Sequence, residues 1–328
     1  MKHRTFGVLV AILFTMTAMM VAQEPQQTWS PTRLADGQPN IEGMWNNSDA
    51  MFTPLELPEE LAGQDLSPDQ LQQRAEARAR GNIARSEWKG FENSGGVGGY
   101  GSYWFDWYWD KPVSVGAPSI IVEPANGRIP ERRGSAEEKI AMSMAQLHDS
   151  AANMEAGDRC ISRGVLGMMM PTHYNNGTLI LQPPGYVVFR KEMIHNVRII
   201  PIGETPHLNS KIWQWEGDPR GHWEGNTLVI ESTNFNLVEN MRGPAAGMRS
   251  RQTEGQKVVE RITVGGPDTL QYSITLEDLG TYTAPWTAAF PFRRDSDYLQ
   301  FEYACHEGNY SVPNALGGER QAERADAR

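Results

Sequence analysis

Downstream of Thr178 the chain alternates apolar and polar residues with a period of two, in short runs broken by turn residues, and no helical period intervenes. The runs cover residues 178–182, 186–191, 195–202, 211–215, 227–233, 257–264, 269–276, 286–293 and 298–304. Pro183-Pro184-Gly185 separates the first two as a hairpin turn, and Gly265-Gly266-Pro267-Asp268 and Asp295-Ser296-Asp297 divide later ones. About nine short strands without crossover helices require antiparallel connections. Such a sheet hides its edges by curving on itself. The expected fold is therefore mainly β: an antiparallel, strongly curved sheet or lipocalin-like barrel of about nine strands, of a size that holds one small ligand.

Two helices precede the strands. Ser67-Pro68-Asp69-Gln70 places serine as N-cap, proline at the first helical position and glutamine at the third, so a surface helix starts there and stops near Gly81. Ser135-Ala136-Glu137-Glu138 reads as a second capping box, with Ile140, Met144 and Leu147 as the apolar stripe of its helix. The expected organisation is a leader at 1–22, an arm with a surface helix and a glycine-rich aromatic segment at 23–110, the barrel-like domain at 111–316 and a charged, frayed tail at 317–328.

The leader has the parts of a secretory signal. Lys2, His3 and Arg4 precede an uncharged apolar stretch from Phe6 to Val21, and Met20-Val21-Ala22 offers small residues before Gln23. Sixteen apolar residues fall short of the roughly 20 that span a bilayer, so cleavage and export to the periplasm or medium are expected, without membrane insertion. Loss of Lys2 and Arg4 takes the formal charge from −10 to about −12. That sign disfavours nucleic acid, which demands a basic footprint. Outside the cytoplasm the two cysteines, Cys160 and Cys305, are expected to pair as a disulfide.

Seven aromatic residues fall between Tyr100 and Trp109, directly after Gly95-Gly96-Val97-Gly98-Gly99. Tyr103, Trp104, Trp107 and Trp109 are candidates to cover a ligand, since tryptophan and tyrosine combine a stacking face with a hydrogen-bonding tip. The same rings could equally plug one end of a barrel.

Gly217-Asp218-Pro219-Arg220-Gly221-His222-Trp223-Glu224-Gly225-Asn226-Thr227-Leu228-Val229-Ile230-Glu231-Ser232-Thr233-Asn234-Phe235 forms a distinctive motif. With it stand Gly157-Asp158-Arg159-Cys160, Tyr174-Asn175-Asn176, Glu192-Met193-Ile194-His195, Pro206-His207-Leu208, Thr283-Ala284-Pro285-Trp286 and Phe301-Glu302-Tyr303-Ala304-Cys305-His306-Glu307-Gly308-Asn309-Tyr310. Together they resemble a large family of secreted bacterial proteins with no established activity. The resemblance spans roughly residues 104–310 and implies export, but it names no reaction. The aromatic density of residues 103–109 exceeds that family's pattern.

Among the histidines, His195, His207 and His306 have carboxylates near them in sequence or through the cysteine pairing: Glu192, Asp158 and Glu307. His148 ends a helix and His222 lies in a Gly/Pro/Arg turn. On a flat strand Glu192 and His195 point to opposite faces, so they converge only if Met193-Ile194 breaks the strand. A Cys160–Cys305 bridge would carry Asp158 to His306. Such a cluster suits general acid–base work of a lyase, isomerase or hydrolase type. A non-catalytic periplasmic binding protein and a metal-dependent hydrolase are the alternatives, as is a purely structural role for each ring at a barrel rim. Tyr174, Asn175, Asn176 and Arg198 are candidate ligand contacts, the last through bidentate recognition of an anionic group. The adjacent Met168-Met169-Met170 suits an adaptable apolar wall better than a copper site. A small organic molecule is the expected partner, and no cofactor is expected.

Overall fold

The computed structural model describes residues 29–87, 117–172, 174–236, 240–242, 249–251 and 253–327. The leader, the glycine-rich aromatic segment with Tyr103, Trp104, Trp107 and Trp109, and His173 lie outside the described residues. From Pro31 on, the chain forms one unit.

The strands are β1 (Gly43–Asn46), β2 (Ile121–Glu123), β3 (Thr178–Leu181), β4 (Tyr186–Lys191), β5 (Val197–Pro201), β6 (Asp218–Glu224), β7 (Thr227–Thr233), β8 (Asn240–Arg242), β9 (Arg249–Arg251), β10 (Lys257–Gly266), β11 (Thr269–Glu277) and β12 (Trp286–Arg294). Ten of them make one antiparallel sheet in the order β5-β4-β3-β1-β12-β11-β10-β7-β6, with β2 added to β12, while β8 and β9 pair as a separate ribbon. Nine strands along that path are an odd number, so its two ends can meet only in parallel. They do: Ile202 bridges Gly221 in parallel sense, and the Gly203 N–H donates to the Gly221 carbonyl at 2.9 Å. A Cβ on Gly221 would lie 2.6 Å from Ile202 Cδ1 and 3.0 Å from Ile200 Cγ2, so the seam closes over a residue without a side chain. The result is the nearly closed, mainly β barrel that the alternating pattern implies.

Alternation fills the inside. On β4, Val187, Phe189 and Lys191 are buried; on β11, Leu270, Tyr272, Ile274 and Leu276; on β12, Trp286, Ala288, Phe290 and Phe292. Each such apolar side chain is worth about 1.5–3 kcal/mol against exposure. Met169 joins Thr178, Ile180 and Phe189 around a void of only about 10 Å³. A larger cavity, about 270 Å³, sits by β11 and β12 against Ala50, Thr53 and Ile120, with Gln271, Ala289 and Pro291 of the outward alternation on its wall.

The hairpin of β3 and β4 forms as read, with the Tyr186 N–H donating to the Pro183 carbonyl at 2.9 Å. Two expected strands do not form. Residues 211–215 turn instead, because Asn209 captures the Lys211 N–H with its side chain at 3.0 Å and the Ile212 N–H with its carbonyl at 2.8 Å. Residues 298–304 make no ladder and are held by the Glu192 carboxylate after β4, which accepts from Tyr298 Oη and the Phe301 N–H, and by Gln300 Nε2, which donates to the Arg190 carbonyl of β4. Conversely, the Gly/Pro/Arg stretch around His222 is a strand: β6 is the last strand of the path, where a proline near the start is tolerated.

Among the described residues there are four α-helices: α1 (Pro68–Glu87), α2 (Gly134–Ala145), α3 (Gly164–Met169) and α4 (Ser311–Asp326). The capping box of α1 is present, with the Gln70 N–H donating to Ser67 Oγ at 3.3 Å and the Ser67 N–H to Gln70 Oε1 at 2.8 Å. It passes through Gly81, since an isolated glycine costs a helix about 1 kcal/mol without ending it. The second expected capping box is absent: α2 begins at Gly134, with Arg133 as N-cap and no side-chain cap. There the Arg133 N–H donates to the Thr281 carbonyl at 2.9 Å, so a tertiary contact sets the boundary. Met144 is largely exposed, and Ala136 and Leu147 carry the buried face of that segment. In place of a frayed tail, α4 runs to Asp326 with no buried residue, tied back by Arg320 donating to the Asp149 carbonyl at 3.1 Å. No helix among the described residues is long and apolar enough to cross a membrane.

Candidate functional site

One end of the barrel gathers the starts of β3, β5, β6, β10 and β12 and the ends of β4, β7 and β11. Four segments that carry the motifs meet there: 157–160, 174–176, 192–195 and 301–310. Cys160 and Cys305 lie at disulfide distance, with their Cα atoms 5.6 Å apart. Asn309 Nδ2 donates to the Asp158 carbonyl at 2.9 Å, fixing the segment after the bridge.

The strand break required for Glu192 and His195 exists. Met193–His195 forms a single 3₁₀ turn with Ile194 at φ 57° and His195 at φ 43°. A left-handed β-branched residue is uncommon and costs on the order of 1–3 kcal/mol, and such strain concentrates at functional sites. Asn175, Cys160 and Asn234 are also left-handed, so all five non-glycine residues of positive φ among the described residues lie at this end. The turn directs Glu192 inward and His195 outward, each against the same C-terminal segment. Glu192 is buried and accepts hydrogen bonds from Tyr298 Oη at 2.6 Å, Asn175 Nδ2 at 3.0 Å and the Phe301 N–H at 3.3 Å. His195 is exposed and donates from Nδ1 to the Tyr303 carbonyl at 2.9 Å. Its ring centre stands 6.3 Å from that of His306.

His207 has a different setting. Its Nδ1–H donates to Asp218 Oδ2 at 3.0 Å, and Nε2 lies 3.5 Å from Glu231 Oε1. Asp218 is buried and also accepts the Leu208 N–H at 2.8 Å and the Arg220 guanidinium at 2.6 Å. Glu231 in turn faces Lys257 Nζ at 3.4 Å, and Lys257 faces Glu277 at 3.3 Å. Exposed Leu208, Ile212 and Trp213 belong to the same loop. Gly217, between Glu216 and Asp218, is required for this turn. Its φ is +69°, and a Cβ there would sit 2.7 Å from the Thr233 carbonyl oxygen and 2.8 Å from Phe235.

Glu216 links the two histidine settings. Its Oε1 accepts hydrogen bonds from Ser162 Oγ and, at 3.1 Å, from Asn196 Nδ2, so it holds the residue after His195 and the second residue after Cys160. Burial raises its carboxyl pKa, opposed by the Ser162 hydrogen bond, the Arg198 charge and Asn196. A carboxyl whose folded pKa lies above its unfolded value near 4.5 stabilises the fold fully below that unfolded value. The contribution is lost as pH rises through the folded pKa. Glu216→Gln is therefore expected to gain stability relative to the parent between acid and neutral pH. Urea midpoints measured across that range check it, and parallel pH profiles for the two proteins would contradict it.

Other expected contacts have structural work instead. Arg198 is buried in the barrel, paired bidentately with Glu260, with one of the two contacts at 3.0 Å. Tyr272 Oη donates to the same carboxylate at 2.7 Å, and burial pushes the Tyr272 phenol pKa up. Arg198 shares its parity on β5 with buried Ile200, so it faces inward. Asn176 closes a turn on Thr172, accepting its N–H at 2.8 Å and donating to its carbonyl at 2.9 Å. The Tyr174 carbonyl accepts Thr172 Oγ1 at 2.8 Å. Met168, Met169 and Met170 are buried. His222 is exposed on β6, with Nε2 3.2 Å from Glu224. Asp158 and Glu307 form no hydrogen bond or ion pair with His306 among the described residues, so the approach of Cys160 to Cys305 brings the backbones together without joining these side chains.

Asp218, Arg220, Glu216 and Tyr298 escaped the reading of the sequence. Asp218 had the strongest signal, since it stands inside the longest motif, but Gly-Asp-Pro-Arg-Gly looks like a turn. Among the described residues no group of three or more His, Cys, Asp or Glu is placed to hold a metal ion. Comparison with protein-family models, with curated proteins and with solved structures returned no match.

Proposed function

We propose that this protein is exported and processes a small organic molecule by acid–base catalysis at this end of the barrel, with His207 as the proton carrier. The observation that carries the reading is the bond from His207 Nδ1–H to a buried, fully engaged Asp218. That bond fixes the tautomer and leaves Nε2, beside Glu231, as the basic site, and the Asp218 carboxylate stabilises the imidazolium that forms when Nε2 takes a proton. Arg220 and the Leu208 N–H hold Asp218 in place, which keeps the ring from swinging away.

A substrate docked beside Nε2 and Glu231, which lie 3.5 Å apart, would give its proton to His207. Glu231 stands close enough to receive it or return it to a leaving group. Such a relay serves elimination, isomerisation or water-assisted hydrolysis alike. The exposed faces of Leu208, Ile212 and Trp213 offer apolar contact for the rest of the molecule. Export is supported by the basic, then apolar, leader and by a cysteine pair at disulfide distance. The motif set of the secreted bacterial family is consistent with the same compartment.

The test is a turnover screen of the exported protein against small esters, lactones and β-hydroxy acids. Whatever substrate is found, His207→Gln is expected to lower kcat about 10²–10⁴-fold, with little change in unfolding midpoint. A compound that binds tightly, is recovered chemically unchanged, and binds His207→Gln equally well would make this a binding protein instead.

A further inference from the structure

We infer that His195 and His306 together bind one late first-row divalent ion of the zinc or copper class, with water filling its other positions. This site uses neither His207 nor Asp218, and it stands whether or not the acid–base reading does.

Both rings are exposed, and their centres are 6.3 Å apart with a 40° tilt. Imidazole nitrogens ligate zinc at about 2.0–2.1 Å, so two rings on one tetrahedral ion have centres roughly 5 Å apart. The present spacing is about 1 Å wider, a gap that a side-chain rotation of exposed His306 can close. His195 already makes the outer bond that metal-binding imidazoles make, from Nδ1–H to a main-chain carbonyl, here that of Tyr303 at 2.9 Å. This leaves Nε2 as the ligand atom. The ring of His306 makes no hydrogen bond among the described residues, so binding an ion there breaks nothing.

Both rings also stand on fixed backbone. Cys305, bridged to Cys160, immediately precedes His306, and the consecutive left-handed residues Ile194 and His195 turn the other ring outward. A neutral imidazole pair suits zinc and copper rather than magnesium or calcium, which prefer oxygen ligands. No third protein ligand stands with them among the described residues, so the ion keeps exchangeable positions.

The protein, expressed from the full chain and kept oxidised without contact with affinity metal, is titrated calorimetrically with Zn(II) and separately with Cu(II). One ion per chain is expected. His195→Gln and His306→Gln should each weaken binding on the order of tenfold or more, while His222→Gln on β6 leaves it unchanged. Cu(II) should broaden the ring C–H resonances of His195 and His306 ahead of the other histidines. If His195→Gln disturbs its turn and fails to fold, His306→Gln decides alone, because it forfeits no hydrogen bond among the described residues. Absence of binding to the parent protein, or binding unaltered in His306→Gln, overturns the assignment. No substrate enters the experiment, so its outcome is separate from that of the turnover screen.

Discussion

Glu260→Ala is expected to cost about 3–5 kcal/mol of unfolding free energy, because it strands the buried Arg198 guanidinium without its carboxylate. The fold stability of a domain this size is itself only about 5–15 kcal/mol, so this one change should remove a large part of it. The reason is the setting. Arg198 and Glu260 are almost wholly inaccessible to water, with side chains 1% and 0% exposed, and Tyr272 and Ser232 complete the cluster. The pair as a whole is a different matter. Exchanging Arg198, Glu260 and Tyr272 together, as Arg198→Met, Glu260→Leu and Tyr272→Phe, should recover most of the loss, since a well-packed apolar replacement spares the desolvation cost of these three groups. Urea unfolding of the single and triple variants measures both. A single variant that loses less than about 1 kcal/mol would mean that water reaches the guanidinium.

Joint replacement of Cys160 and Cys305 by serine should be of similar size. The two positions are 145 residues apart in sequence, and on chain-entropy arithmetic a cross-link over so long a loop contributes up to about 5 kcal/mol. The loss should show as a lower urea midpoint, and reductant should shift the parent protein the same way while leaving the double variant unmoved. Alkylation of both thiols in the unreduced parent, read by mass spectrometry, would contradict the pairing. The variant should also free the segment that carries His306, so its zinc titration should weaken even under conditions where it stays folded.

The barrel was legible from period-two alternation, and the hairpin around Pro183-Pro184-Gly185 and the capping box at Ser67 follow from chemistry within a few residues. Where the reading failed, distant partners decided. The Ser135 box lost to a backbone bond with Thr281, and the run at 298–304 is anchored by Glu192, Gln300 and the cysteine bridge rather than by a ladder. The candidate site was half visible. A break at Met193-Ile194 could be stated as a condition for using Glu192 and His195, but the left-handed pair Ile194 and His195, which sends the two side chains apart, has no local sequence signal. The pairing of His207 with Asp218 depends on β6 being a strand, and its turn-like composition concealed that. The buried cluster could have been found: Arg198 has the parity of Ile200, and Glu260 that of Val258 and Ile262, so opposite charges sit at inward positions of two strands. Reading Arg198 as a ligand contact passed over that parity.

The seam between β5 and β6 has a further consequence. Elsewhere the hoop is held by ladders, the shortest of them the two paired positions between β1 and β12, whereas here one bridge and one backbone bond at Gly203 span the gap. The chain between these strands, residues 203–217, therefore acts as the clasp of the hoop, and it also carries His207 and Glu216. Amide protons along this clasp should exchange earliest among those of the barrel wall. Each opening would carry the imidazole away from its station and back again, so the local breathing of the wall and the readiness of the proton carrier are a single motion.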